Sequence, residues 1–293
     1  MSSIQSHVST KEKNRVLPGV LYLVATPIGN LSDLSERAIK VLSEVDFIAA
    51  EDTRNSLKLL THLGIQKPMI SYFEHNKRER GEAIAARLEG GESCALITDA
   101  GTPAISDPGE DLVALCAERG IAVSSIPGCC AAITALTLSG LPTGRFCFEG
   151  FLPMNKAERK ARLEELKKEP RSMILHEAPH KLKHTLDDLC AALGGDRRIA
   201  LCRELTKLNE DVQRCTLSEA VAHYQTNEPR GEYVLVVDGV STADPSDTFW
   251  TNMTVPEHVA HYRAQGLEKM DAIKAAAKDR GVPKNQIYRE VVD

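Results

Sequence analysis

Apolar and polar positions change their period repeatedly along this chain. VLYLVA, residues 20–25, is a short apolar run with β-branched members, and it ends at the turn-forming stretch TPIGN. LSERAIKVLSEV then spaces its apolar residues at helical intervals, which predicts an amphipathic helix, and DFIAAED predicts a second strand. GEAIAARLEGG is a helix closed by glycine, SCALITDAG a strand breaking into a Gly-Thr-Pro turn, GEDLVALCAERG another glycine-stopped helix, and IAVSSIPG the next strand. Strand and helix patterns alternate, and the strands are near-continuous apolar runs. The pattern predicts an α/β domain over residues 18–141, built around a mostly parallel sheet.

Residues 141–153, LPTGRFCFEGFLP, mix turn formers with a new strand and mark the boundary to a second α/β domain, residues 142–239. A charged helix ended by proline follows (NKAERKARLEELKKEP), then RSMILHEA as strand, HKLKHTLDDLCAALGG as helix, RRIALCREL as strand, TLSEAVAHYQ as helix and GEYVLVVDG as strand. Residues 240–254 are a polar linker and residues 255–293 predict two or three short helices. From Arg263 to Arg289 this last segment carries seven Lys/Arg against three Asp/Glu. DRGVPKNQIYREV resembles the turn and second helix of a helix-turn-helix, a pattern that fits either a nucleic-acid contact or a docked helical cap. Residues 1–17 are polar and predict a disordered tail.

Composition narrows the class. A 42% hydrophobic and 26% charged chain is that of a soluble globular protein, and no apolar run approaches the ~20 residues of a membrane span. The net charge of -5 excludes a globally basic nucleic-acid binder while allowing a local basic patch. Eight cysteines stand without a C-x-x-C pair, and no apolar signal-peptide core precedes them. Reduced, mostly buried thiols in a cytoplasmic protein are expected.

One string invites a metal. His176-Glu177-Ala178-Pro179-His180 reads as H-E-x-x-H, the zinc-peptidase signature, which requires both histidines on one helical face. Proline within a helix costs ~3 kcal/mol or more, and it turns the residue before it away from helical geometry. RSMIL ahead of it is strand-like. His176 is therefore expected at a strand end and His180 at the start of the next helix, with no metal at either.

Four loops follow predicted strands: residues 26–30 (TPIGN), 51–54 (EDTR), 98–109 (TDAGTPAISDPG) and 127–131 (PGCCA). In a parallel sheet all four lie at the carboxyl ends of the strands, where such sheets bind ligands. Neither G-x-G-x-x-G after a strand nor G-x-x-x-x-G-K-[ST] is present, so the dinucleotide and phosphate-loop fingerprints are missing. DAGTPAISDPG holds two aspartates and no basic residue, which disfavours a phosphate and suits a neutral or cationic ligand, such as a nucleoside with a sulfonium centre.

Taken together, the stretch from LYLVATPIGN through EDTR, ALITDAGTPAISDPG, HEAPHKL, CRELTKLNE and GEYVLVV, in order over about residues 18–238, resembles the S-adenosylmethionine-dependent tetrapyrrole methylase superfamily. The E-D-T-R motif is similar to that of its ribosomal branch, the small-subunit rRNA cytidine-2'-O-methyltransferases. The resemblance implies two α/β domains with the cofactor in the cleft between them, a homodimer, and 16S rRNA within the small ribosomal subunit as partner. By position it implies cofactor contacts from Pro27, Asp99, Ala100, Gly101, Ile105, Cys130, Ala131, Glu177, Ala178 and Gly231, many through backbone groups. The chain departs from the family pattern in having Cys129 where P-G-P-[SC]-A has proline, His176 where tyrosine is common, Lys181 for arginine, Asn209 for histidine and Phe73 for histidine.

A ribose hydroxyl is weakly acidic, so a base or a stabilising cation would assist its methylation. Glu51, Asp52, Arg54, Glu74, His75 and Lys207 are the candidates on these loops, with no single base assigned. HNKRER, residues 75–80, is a basic loop suited to phosphate contact, and Tyr72 and Phe73 beside it serve either base stacking or the core. Two other functions use the same features. A tetrapyrrole methyltransferase would need a large basic pocket, and E-D-T-R with the basic C-terminal segment argues against it. A non-catalytic rRNA-binding factor would not need residues 99–109 intact.

Overall fold

A computed structural model describes residues 14–240, 249–250 and 252–292. Most of the predicted tail and of the predicted linker therefore lies outside the described residues. The chain up to Val240 and the segment beyond it form two compact units.

In the first unit the elements run β1 (Val20–Val24), α1 (Glu36–Glu44), β2 (Phe47–Ala50), α2 (Thr53–His62), β3 (Met69–Ser71), α3 (Lys77–Glu89), β4 (Cys94–Ile97), α4 (Gly109–Arg119), β5 (Ala122–Ile126) and α5 (Ala131–Ser139). They continue with β6 (Phe146–Gly150), α6 (Lys156–Leu166), β7 (Ser172–Glu177), α7 (Pro179–Leu193), β8 (Arg198–Arg203), β9 (Asp211–Thr216), α8 (Leu217–Thr226) and β10 (Tyr233–Val237). Strands β1 to β5 form one sheet in the order β3-β2-β4-β1-β5, with every pairing parallel. Its central strands are buried on both faces, which is why FIAA and CALI show no alternation. Tyr22, Val24, Ile48, Ala50 and Ile97 pack on the side of α1 and α2; Leu21, Phe47, Ala49 and Leu96 pack on the side of α3 and α4. Ser35 caps α1 by accepting from Ala38 N–H at 3.1 Å, and Asp52 caps α2 by accepting from Arg54 N–H at 2.8 Å.

The second sheet has the order β6-β7-β10-β8-β9 and is mixed. Strand β7 is parallel to β6 but antiparallel to β10, and β8 and β9 pair antiparallel. Strand β7 thus has a parallel neighbour on one side only, because β8 returns directly as β9 and β10 inserts beside β7. Met173, Leu175, Leu201 and Leu235 face α6, α7 and α8, while Ile174, Ala200, Cys202 and Val236 face α5. Helix α5 precedes the boundary expected at residue 141, yet it covers the second sheet. Tyr72 is a core residue: it is fully buried and donates to the Pro108 carbonyl at 3.0 Å.

The C-terminal unit consists of α9 (Val255–Ala264), α10 (Lys269–Asp279) and α11 (Lys284–Val292), around Val255, Val259, Ile273, Ala276 and Ile287. Arg280 to Pro283 form the turn between α10 and α11. No helix among the described residues is long and apolar enough to cross a membrane, and the eight cysteines form no disulfide.

Candidate active site

Because the first sheet is parallel, the loops after β1, β2, β4 and β5 all emerge at one edge. Strand order then decides which of them meet. Strands β4, β1 and β5 are neighbours, and their loops interlock: Thr26 N–H donates to Gly101 O at 2.9 Å and Gly101 N–H returns to Thr26 O at 3.0 Å. Thr102 Oγ1 donates to Cys129 O at 2.9 Å, joining the β4 and β5 loops. Gly101 sits at φ +87°, a conformation that L side chains rarely adopt.

Facing these loops is the part of the second sheet that α5 leaves uncovered. Between them lies a cavity of about 500 Å³. Its first-sheet wall is Ile28, Ala100, Gly101, Thr102 and Ile105; α5 begins at it with Cys130, Ala131 and Ala132. Phe148, His176, Cys202 and Val234 come from the second sheet, Glu177 to His180 from the start of α7, and Leu205, Lys207 and Glu232 from loops at its mouth. Seven of the ten residues expected to touch cofactor line this cavity: Ala100, Gly101, Ile105, Cys130, Ala131, Glu177 and Ala178. Pro27 and Asp99 lie on the other side of the Thr26–Gly101 bridge, in a recess of about 280 Å³ bounded by α2. Gly231 precedes Glu232 and packs against the Glu204 side chain.

HEAPH is resolved as strand, turn and helix. His176 ends in β7, Ala178 is the N-cap of α7 and Pro179 its first residue, so the two histidines sit on different elements. Glu177 is buried, and its carboxylate accepts from Ala178 N–H at 2.9 Å and from the Thr185 hydroxyl. It locks α7 onto the strand end. His176 lies edge-on between Phe148 and Phe151, with ring centroids at 5.3 and 5.6 Å. Burial lowers its pKa, against a weaker opposing pull from Glu232, and among the described residues its Nε2 has no hydrogen-bond partner.

Among the candidate acid–base residues only Lys207 reaches the cavity. Its Nζ donates to Glu204 at 2.9 Å and to Glu232 at 2.8 Å. Burial works against its charge, but the two carboxylates prevail and hold the ammonium above its ordinary range, so it is a cation and not a base at neutral pH. Glu51 and Asp52 follow β2, one strand beyond β4. Glu51 accepts from the Asp99 backbone; burial first, then the Asp99, Asp107 and Asp52 carboxylates, raise its pKa. Asp52 holds Arg54, whose Nη2 donates to it at 3.1 Å. Glu74 and His75 follow β3 at the far edge of the sheet, where both are exposed and Glu74 pairs with Lys77. Sequence reasoning missed Phe148, Phe151, Cys202 and Leu205; the alternation in FCFEGF is a signal for Phe148 but not for Phe151.

The donor set suits a zwitterionic nucleoside. Small residues leave room at the cavity wall, and the Cys130 side chain does not cap α5, so among the described residues no side chain occupies the first-turn N–H groups that could receive a carboxylate.

Comparison with known proteins agrees with this architecture. The tetrapyrrole (corrin/porphyrin) methylases match residues 20–221. A Halalkalibacterium halodurans protein named ribosomal RNA small subunit methyltransferase I is 48% identical, over 98% of this chain and 98% of its own. Its namesake from Synechocystis sp. is 46% identical, over 92% of this chain and 96% of its own. Among solved structures, a uroporphyrin-III C-methyltransferase from Thermus thermophilus complexed with S-adenyl homocysteine superposes with a TM-score of 0.51 at 17% identity, covering 74% of this chain and 96% of that one. The chain belongs to the tetrapyrrole methylase family and, within it, to the ribosomal RNA small subunit methyltransferase I group.

Proposed function

We propose that the chain methylates the ribose 2'-hydroxyl of a cytidine in small-subunit (16S) rRNA, using S-adenosylmethionine. That it is an S-adenosylmethionine-dependent rRNA methyltransferase rests on its family. The observation that carries the assignment of the site is the convergence of the β4 and β5 loops and the β7–α7 turn on one cavity. Ala100, Gly101, Ile105, Cys130, Ala131, Glu177 and Ala178 hold the cofactor in this reading, with Pro27, Asp99 and Gly231 supporting the loops from behind. When bound, S-adenosylmethionine supplies an electrophilic methyl group. The remaining work of the protein is largely placement, since well-oriented pairs recover ~7–11 kcal/mol of barrier. Lys207, held charged at the mouth, steadies negative charge developing on the ribose oxygen. In this reading Glu51, Asp52 and Arg54 set the loop geometry behind Asp99, and the exposed His75 contributes to RNA contact. A homodimer acting in the cytoplasm on rRNA within the assembled small subunit completes the reading.

Mass spectrometry of rRNA nucleosides tests it. Cells lacking the protein should lose one 2'-O-methylcytidine from small-subunit rRNA and regain it when the chain is restored. An unchanged level refutes the assignment.

A further inference from the structure

The second-sheet side of the cavity carries an aromatic group that the cofactor reading does not use. Along an unbroken strand, side chains alternate between faces. Phe148 faces the cavity, so Phe151, three residues later, would face away. Strand β6 breaks that rule. Its register against β7 runs Phe148 to Ile174 and then Gly150 to Leu175, so Glu149 is an extra residue, and Gly150 adopts φ +61°. A bulge of this kind re-aims the side chains beyond it. Phe151 returns to the cavity face, where it and Phe148 both flank the His176 ring.

Three features of this group ask for a planar heterocycle. Phe151 is 58% exposed at the cavity rim, an uncovered phenyl where most large apolar side chains are buried. His176 Nε2 is buried and has no partner among the described residues, although a buried polar atom is nearly always hydrogen-bonded. The charged side chains that line the cavity with it are engaged elsewhere: Lys207 with Glu204 and Glu232, and Glu177 with Ala178 N–H and the Thr185 hydroxyl. Bases of single-stranded RNA are held by stacking on aromatic faces and by hydrogen bonds to their edges.

We propose that Phe151 and His176 form the subsite for the target nucleobase: the unstacked pyrimidine lies on the exposed Phe151 face, and the imidazole hydrogen-bonds its edge. This rests on the rRNA methyltransferase reading and extends it to base recognition. The position of Phe151 at the rim, outside the small-residue walls at Ala100, Ala131 and Ala178, favours the incoming base over the adenine of the cofactor, which shares the same chemistry.

The test separates those two occupants. Phe151→Ala and Phe151→Trp are compared with the unaltered protein for KM towards small-subunit rRNA and for S-adenosyl homocysteine affinity by calorimetry. Truncation of an exposed side chain leaves the fold in place, and a thermal melt verifies that. The expected result is an rRNA KM raised about tenfold in Phe151→Ala, restored in Phe151→Trp, with the calorimetric affinity within twofold of the original. His176→Phe should lower discrimination between cytidine and uridine at the target position. Weakened S-adenosyl homocysteine binding, alone or together with a raised KM, overturns the proposal, as does an unaltered KM. An unaltered protein that does not methylate small-subunit rRNA overturns the underlying reading and the subsite together, whereas an active one indifferent to Phe151→Ala overturns the subsite alone.

Discussion

Gly29 stands where the β1 loop meets the Leu205–Lys207 loop. A Cβ built there would stand 2.4 Å from Lys207 Cγ, 2.8 Å from Thr206 Oγ1 and 3.0 Å from the Leu205 carbonyl oxygen. Carbon–carbon contacts settle near 3.5–4.0 Å, so Gly29→Ala needs about 1 Å of relief. Lys207 cannot simply swing aside, because its Nζ is held at 2.9 and 2.8 Å by Glu204 and Glu232, and Leu205 O is backbone. Overpacking of this kind costs ~1–3 kcal/mol. Losing the partly exposed lysine pairs adds at most ~1 kcal/mol. At about 2 kcal/mol in all, the melting temperature of a unit this size should fall by ~4–8 °C. Activity should suffer more than stability: the strain is relieved by parting the β1 loop from the Leu205–Lys207 loop, and a 1 Å misplacement costs ~100-fold in rate. Calorimetric melts and single-turnover methyl transfer measure the two effects. Adding Lys207→Ala removes the closest clash, so the double variant should melt higher than the sum of the single effects by ~1 kcal/mol. A Gly29→Ala protein that melts and turns over like the original would show that the two loops do not meet as described.

Two further outcomes follow from the geometry. Gly101→Val places a β-branched residue at φ +87° in the bridge to Thr26, and calorimetry should find S-adenosyl homocysteine binding reduced more than tenfold in a protein that still folds; retained affinity would remove Gly101 from the cofactor wall. In the C-terminal unit, buried His258 accepts from Arg280 Nε at Nδ1 and meets Asp279 at Nε2; burial first, then Arg280, hold its pKa below 6.5. The unfolded state therefore takes up the proton first, so the stability of these helices is complete above pH 6.5 and declines as pH falls below it. Amide exchange of α9 to α11 should quicken between pH 7 and pH 5 beyond the intrinsic change, and His258→Phe should abolish that excess; equal protection at both pH values would contradict the assignment.

The sequence made most of the first sheet plain because β1, β2 and β4 are apolar throughout and α3 and α4 are punctuated by glycine, at Gly90 and Gly120. It hid α5, whose stretch AAITALTLS is apolar all round and so has no helical stripe to read. It hid β9 as well, an edge strand of polar residues (DVQRCT). Within the site, loop chemistry was legible but strand order was not: EDTR follows β2, and only the order β2-β4-β1 reveals that Glu51 stands behind Asp99. Phe151 was invisible for a third reason. One extra residue in β6 reverses the face of everything beyond it, and a period-2 pattern contains no sign of where a bulge falls.

The two loops that grip the cavity also share a backbone device. Four non-glycine residues of the first unit's site loops hold left-handed φ values: Ala104 (65°) and Ser106 (60°) in one, Glu204 (51°) and Thr206 (65°) in the other. In each loop the pair flanks a single residue that lines the cavity, Ile105 and Leu205 respectively. Such conformations cost ~1–2 kcal/mol each for a residue with a Cβ, so they persist only where something over-determines them. Acidic side chains do this in both places. Asp107 accepts from Ile105 N–H at 3.2 Å and Gly109 N–H at 2.7 Å. Glu210 accepts from Thr206 N–H at 2.6 Å, and Glu204 from Glu232 N–H at 2.9 Å. In D-A-G-T-P-A-I-S-D-P-G and in C-R-E-L-T-K-L-N-E the geometry thus uses Asp107, Glu204 and Glu210 as anchors. Their cost and benefit fall on placement, which is the quantity that limits an alkyl transfer between two correctly held partners.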